Sequence, residues 1–573
     1  MNSRLYVGFF AFFFVATLSC TEVQPKTDQG WFPSTLEALR SAPARMRAAF
    51  KEGVKKRFPS LWSSVHSATV ADVDTSNSVS QGEAEAIAQR MKHVRKALQS
   101  QIGEFKKAPK IAIVASGGGL RASLVTFGVL SGLEKSGLLD TVLWQSTLSG
   151  STWAVGSWVQ SALQNETLTA SEYSQQFISR ISDRYLTSMD RTAAREISSL
   201  FLVKSAYDMP ITLVDLFGAF LSHVFFSNQT EKLSSQVAAM KKGTFPIPIY
   251  TAVSGEQHMS RYWYAYTPWD VAIEPPLKGA NGFSIPSWAF GREFLNKKST
   301  GYKPEKTFGF NLGTYGSAFA ADIKTLYKHT QLGGVENSLA RSIIDSVVDR
   351  YGKSRLTAAQ VFNFTKGMKH SPFKDADILK IVDAAIDFNL PYPPVSGLRK
   401  DRSPDILIFI DASASVAAST QLKKVEKFAR SKKLKFPRIS YKEIAQRAVS
   451  IFKDEKDTSV PTVIYIPLVQ DAQLLAQKKG EFPEMKSLGS LNLSSCCGTT
   501  KGIAPRSGQY TSALAQQIME LMEFNVRAHA QEVWEEIALR AGTPGLYEKG
   551  MSLLRYGKEK AKQARQKLGR FGI

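Results

Sequence analysis

Cysteine is almost absent from this chain, with three residues in 573. Cys496 and Cys497 are neighbours, which pair only in a strained ring, and Cys20 is far from both, so no disulfide framework holds the fold. Histidine is scarce too: of seven, only His529 lies beyond position 370. A serine, aspartate and histidine triad in that chain order is therefore poorly served. Acidic residues are outnumbered, 50 Asp and Glu against 73 Lys and Arg, a formal charge of +23 that favours an anionic partner. The chain lacks an arginine-rich arm, zinc-finger spacing and interleaved aromatic and basic residues, which argues against nucleic acid and leaves a lipid surface. It also lacks an internal repeat.

What is present is enough for one large core or two, since 43% of residues are hydrophobic and 11% aromatic. Residues 1–20, MNSRLYVGFFAFFFVATLSC, combine an early basic residue, a short apolar run and small residues before Cys20, the pattern of an export signal. The run is too short for a membrane-spanning helix, which needs about 20 apolar residues. Its T-L-S-C ending is similar to a lipoprotein box, so the expectation is an exported, membrane-associated protein, lipid-anchored through Cys20 or secreted. Residues 33–58 space Leu36, Leu39, Met46, Phe50 and Val54 on one helical face, which suits either a membrane surface or packing on the main domain. DVDTSNSVSQGE, residues 72–83, is a weak calcium-loop pattern: Asn77 stands where glycine is expected, and Ser80 with Glu83 equally reads as a capping box.

From Lys110 the texture becomes β-α-β-α, with strands expected at KIAIVAS, TVLWQSTL, PIPIYTAVSG, ILKIVDA, PDILIFIDAS and TVIYIPLV. Residues 157–245 read mostly as helix, and the apolar ITLVDLFGAFLSHVFF suits a cap on the sheet or a hydrocarbon site. The chain divides into an export segment 1–20, a basic helical extension and linker 21–105, a main domain 106–541 and a basic helical tail 542–573.

Two turns carry chemistry. S-G-G-G-L-R-A, residues 116–122, ends one strand and opens a helix, so its amides suit an anion, either a phosphate or an oxyanion. Neither the G-x-G-x-x-G spacing nor a following G-K-[ST] supports a nucleotide. T-L-S-G-S-T, residues 147–152, places Ser149 on a strand-to-helix turn with small residues behind it, although the β-branched Thr147 stands where glycine is usual. Both turns fall at the carboxyl edge of one sheet, which brings Ser149 and the Gly118 and Gly119 amides together. A serine needs a base. Without a suitable histidine the candidates are aspartates at strand ends, Asp383 in ILKIVDAA and Asp411 in ILIFIDAS, of which a desolvated one could serve.

These stretches resemble the cytosolic phospholipase A2 and phospholipase B (lysophospholipase) family, related more distantly to patatin. SGGGLRA looks like its oxyanion loop, TLSGSTW like its G-L-S-G-S-T-W turn, and DAAIDFNLPYPPVSGLRKDRSPDILIFIDASA like its aspartate stretch. Weaker echoes at YWYAYTPWDVA, FSIPSWAFGREF and FNLGTYGSAFA extend the likeness over residues 108–540. The resemblance implies an α/β three-layer fold with a central mixed sheet, a Ser-Asp dyad and a helical cap. It implies a serine acyl hydrolase acting on phospholipid at a membrane surface, with Ser149 as nucleophile, Asp383 as base, and Gly118 and Gly119 as oxyanion-hole amides. It gives Arg121 and Arg402 to the substrate phosphate and leaves Asp411 a structural role. No metal or other cofactor is implied for the chemistry, and the calcium-binding C2 domain of the animal enzymes has no counterpart in residues 22–105. Ala384 and Ala385 depart from the Ser-Gly or Gly-Gly usual after the aspartate. The rival expectation is a silent lipid-binding protein with the same fold.

Overall fold

The computed structural model describes residues 44–62, 65–183, 191–226, 230–256, 260–318, 358–414 and, with interruptions between 443 and 509, 416–543. Residues 1–20 with Cys20, the pair Cys496 and Cys497, and the tail from 544 onward lie outside the described residues.

Helices α1 (Ala44–Arg57) and α2 (Gln81–Ile102) precede the first strand, β1 (Ile111–Ala115). Helix α3 (Gly119–Lys135), strand β2 (Val142–Thr147) and helix α4 (Gly150–Ala162) complete the expected β-α-β-α unit. Helix α5 (Leu213–Phe226) leads to β3 (Ile247–Ser254) and the short strands β4 (Trp263–Tyr266), β5 (Asp270–Ile273) and β6 (Phe283–Pro286). The hairpin β7 (Glu293–Leu295) and β8 (Lys298–Thr300), helix α6 (Phe308–Tyr315), and β9 (Ala359–Phe362) with β10 (Ile378–Asp383) follow. Strands β11 (Ile406–Asp411), β12 (Ser450–Phe452) and β13 (Thr462–Pro467) and helix α7 (Ser512–Arg527) close the domain.

Eleven strands make one mixed sheet in the order β12-β13-β11-β1-β2-β3-β4-β5-β6, with β10 and then β9 added at β3. Strands β13, β11, β1, β2 and β3 are mutually parallel, and the remaining pairings are antiparallel. IAIVA in β1 and ILIFID in β11 are buried at every position, as strands covered on both faces are, and read as near-continuous apolar runs. All six strands expected from sequence are there. The short strands β4 to β9 and β12 were not separable from loops, because runs of three or four residues carry too little periodicity.

Strand β3 positions the site. Its first half pairs with β2, Trp144 opposite Ile247 through Thr147 opposite Tyr250, while its last three residues pair with β10, ending with Asp383 opposite Ala252. Strand β4 takes the other flank from Tyr250 to Val253, so β2 and β10 share one flank and meet end to end.

The expected boundary at residue 105 is not a structural one. Arg90 of α2 is fully buried and donates to Val142 O at 2.8 Å, Leu139 O at 2.8 Å and Gly243 O at 3.0 Å, which ties α2 to the entrances of β2 and β3. Desolvation lowers its pKa to about 9. Phe50 and Val54 of α1 are buried, and α1 packs on the helix Arg191–Ala206, so the described part of this face covers protein, while Leu36 and Leu39 lie outside the described residues. The residues of the weak calcium-loop pattern are engaged in other contacts. Residues 71–74 run as an edge segment: Asp74 and Ser284 exchange N–H to O bonds of 2.9 Å, and Val73 N donates to Lys297 O at 2.8 Å. The Asp74 carboxylate accepts from Ser76, and Ser80 caps α2. Among the described residues no acidic, histidine or cysteine cluster could hold a metal. Helix α5 is buried almost all round and packs on α6, which makes it a cap rather than a hydrocarbon site. No described helix is long and apolar enough to cross a membrane.

Candidate active site

Ser149 joins β2 to α4 with φ 51° and ψ −125°, a conformation that costs a non-glycine residue on the order of 1–3 kcal/mol. Three contacts hold it. Ser151 Oγ donates to Ala115 O at 2.8 Å, Leu148 N donates to Ser151 Oγ at 3.0 Å, and Thr251 Oγ1 donates to Thr147 O at 2.9 Å. Serine at a helix start ordinarily accepts from an amide one turn on, yet the Ser149 side chain makes no such bond. Its hydroxyl is left for chemistry. Thr147 is fully buried as the last residue of β2 and lies outside the positive-φ residues, so its β-branch suits the strand and no glycine is required there.

Asp383 ends β10 and is fully buried. Its backbone N–H donates to Ser317 Oγ at 2.8 Å, and its Oδ1 accepts Ala385 N–H at 2.9 Å. Oδ2 lacks a fully formed hydrogen bond, and the Ser149 hydroxyl approaches the carboxylate without closing one. Such contacts are often long before substrate binds. Burial raises the acid from 3.8 to about 7, against smaller lowering effects from Ala385, Ser149 and Ala318. A carboxylate poised there can take a proton near neutral pH. The alanines at 384 and 385 form the single turn that Asp383 caps.

The glycine loop comes up beside the serine. Gly118 has φ 143° and Gly119 φ 59°, and α3 begins there without a side-chain cap, so its first amides and the positive end of its dipole face the site. Loop and serine turn touch: a Cβ on Gly150 would stand 1.9 Å from Gly119 O. The Asn389 side-chain amide, a group that sequence reasoning did not single out, brackets the Gly117 residue. Its Oδ1 accepts Gly117 N–H at 3.1 Å and its Nδ2 donates to Gly117 O at 2.9 Å. The FNLPYP stretch was visible, but no spacing rule connects an asparagine with a loop 272 residues earlier.

The structure does not gather every expected group here. Arg121 is buried beside Gly118 and donates Nε–H to Ala412 O at 2.9 Å, bracing the glycine loop against the end of β11. Arg402 is a correction. Its guanidinium is fixed by both Glu83 oxygens, at 2.7 and 2.6 Å, and reaches Glu274 at 3.4 Å, all three residues being buried. Burial alone would lower its pKa, but Glu83, Glu274 and Asp270 outweigh that and raise it. Arg402 therefore binds α2 to the sheet instead of holding a phosphate, and the Glu83 side chain serves this pair, leaving only the Ser80 half of the expected capping box. Asp411 anchors structure: its Oδ1 accepts Ser413 N–H at 2.9 Å and its Oδ2 the Tyr465 hydroxyl at 2.7 Å. His529 Nδ1 lies 2.9 Å from Asn525 O at a helix junction. The open pocket of about 580 Å³ lined by Trp269, Trp288 and Glu305 lies beside the β4–β5 turn and holds none of these groups.

The model of the lysophospholipase catalytic domain matches residues 111–445, more than half of the chain, and takes in both turns and Asp383. The chain belongs to this family. Human cytosolic phospholipase A2 zeta is 27% identical over 463 residues, covering 68% of this chain and 53% of that protein. Human cytosolic phospholipase A2 gamma is 30% identical over 248 residues, 41% of this chain and 42% of that protein. The solved structure of human GIVD cytosolic phospholipase A2 superposes with a TM-score of 0.65 at 20% identity, covering 82% of this chain and 68% of that one, which shows the fold. The chain spans about half the length of the curated relatives named zeta.

This kinship overturns the expectation of export. The matched relatives of the lysophospholipase family are named cytosolic phospholipases A2. An apolar run behind one arginine is a compositional signal shared by leaders and other apolar segments, and it did not discriminate between them.

Proposed function

We propose that this protein is a serine acyl hydrolase that releases fatty acids from glycerophospholipids or lysophospholipids through an acyl-serine intermediate. The observation that carries the reading is the Ser149 hydroxyl, free of any capping bond on its positive-φ turn, beside a buried carboxylate whose pKa lies near neutrality. Asp383 takes the Ser149 proton as Oγ attacks the acyl carbonyl, and the Gly118 and Gly119 N–H groups receive the oxyanion. The proton passes from Asp383 to the departing glycerol oxygen. Water, deprotonated by the same carboxylate, then frees the fatty acid and restores Ser149. In this reading Arg121, which braces the glycine loop beside Gly118, is also assigned to the substrate phosphate. The basic surplus of the chain supports work at a lipid surface. Apart from that water, the steps of this reading call on side chains and amides of this chain.

The test compares wild type with Ser149→Ala on mixed vesicles, reading released fatty acid and lysolipid. Turnover in the wild type that Ser149→Ala abolishes supports the reading, and equal turnover in both overturns it. A relative of the same fold has been solved with methyl gamma-linolenyl fluorophosphonate, so a lipid-like fluorophosphonate is a suitable covalent probe. A wild type that neither turns over lipid nor takes the probe would be the silent lipid-binding homologue instead.

A further inference from the structure

Resting on the hydrolase reading, we infer that Asn389 is a positioning residue that sets the direction of the Gly118 oxyanion donor. A trans peptide holds its C=O and N–H in one plane, pointing opposite ways. The peptide joining Gly117 to Gly118 contains the Gly117 carbonyl, and Asn389 Nδ2 donates to that oxygen at 2.9 Å. Fixing the carbonyl toward Asn389 turns the Gly118 N–H to the opposite side. The preceding peptide is fixed too, because Gly117 N–H donates to Asn389 Oδ1 at 3.1 Å. A run of three glycines has little preference of its own between one peptide orientation and its flip. A flipped peptide would present a carbonyl oxygen to the developing anion, where an N–H is required.

The amide is itself supported through Ser413 and through the backbone of Asn389. Its Nδ2 also donates to Ser413 Oγ at 2.8 Å, Ser413 N–H is fixed by Asp411 Oδ1 at 2.9 Å, and the Asn389 backbone N–H donates to Gln421 Oε1 at 2.8 Å. The aspartate ending β11 thus reaches the oxyanion hole through Ser413, Asn389 and Gly117. Space allows little else at this point, since a Cβ on Gly117 would stand 2.8 Å from Asn389 Oδ1 and 2.7 Å from Ser149 Cβ.

Asn389→Asp is the diagnostic change. It keeps an acceptor for Gly117 N–H but sets a second oxygen against the Gly117 carbonyl, favouring the flip. Losing one aligned donor costs about 10²–10³-fold in kcat. We expect a fall of that size in kcat for Asn389→Asp, with KM within about twofold. Fluorophosphonate labelling of Ser149 should slow by a similar factor, because phosphonylation also builds negative charge on that oxygen. Ser413→Ala, which removes only the outer support, should fold normally and lose a smaller part of kcat. Wild-type kcat and labelling rate in both variants, or a loss confined to KM or to melting temperature, overturns the proposal. Wild-type protein that fails to label at Ser149 overturns the hydrolase reading itself, a result distinct from equal labelling of wild type and both variants.

Discussion

Thr147 and Asp383 stand on the same flank of β3, opposite Tyr250 and Ala252, two residues apart along one strand. At roughly 3.3 Å per residue their attachment points are about 7 Å apart. Strand β2 arrives parallel to β3 and β10 antiparallel, so two chain segments more than 200 positions apart end facing each other. The serine follows one end and the acid is the other.

Asp383 must be ionised to act as base, so activity should rise with pH through a midpoint near 7. Its effect on stability has the opposite sign. The folded state holds this proton up to about 7 and the unfolded state releases it near 3.8, so folding stability is lost as pH climbs through that window. Asp383→Asn should be inactive, yet melt above wild type at about pH 8 and approach it near pH 4. Wild-type stability that rises across the window would contradict this.

Gly150 should tolerate no side chain. A methyl group would sit 1.9 Å from Gly119 O, with backbone on both sides of the contact. Gly150→Ala should cost about 1–3 kcal/mol in a denaturant titration. It should also slow probe labelling of Ser149, because the elbow and the glycine loop must move apart.

Thr147 is predicted to be no handicap. Thr147→Gly should leave kcat unimproved and lower stability by about 1 kcal/mol, since glycine weakens a strand interior. The buried Oγ1 has no hydrogen-bond partner. Thr147→Val should therefore match or exceed the wild-type melting temperature. A faster Thr147→Gly enzyme would show that the branched side chain does restrain the serine turn.

Arg402→Met should destabilise by about 3–5 kcal/mol, because Glu83 would be left as an uncompensated buried charge while Glu274 would keep only Arg399. Pairing it with Glu83→Gln should recover part of that loss. The folded double variant should keep the wild-type KM for anionic lipid. A selective rise in KM without loss of stability would return Arg402 to the phosphate.

The resemblance of three motifs placed Ser149, Asp383 and the glycine loop without any coordinates, and the β-α-β-α texture placed the strands that carry them. Those features are local: a strained turn needs small residues behind it, a tight loop needs glycine, and a covered strand needs an apolar run. The roles of Arg402 and Asn389 were not legible, because a long polar side chain takes its meaning from whatever folding places against it. The same L-R-K-D-R that resembled a phosphate site became a clamp once α2 brought Glu83 to it. What the sequence alone determined was which residues could make a nucleophile, a base and an anion hole. Tertiary structure decided which of them meet, through the register of β3, and it gave the carboxylate its altered acidity, since desolvation depends on the surrounding protein rather than on the neighbours in the chain.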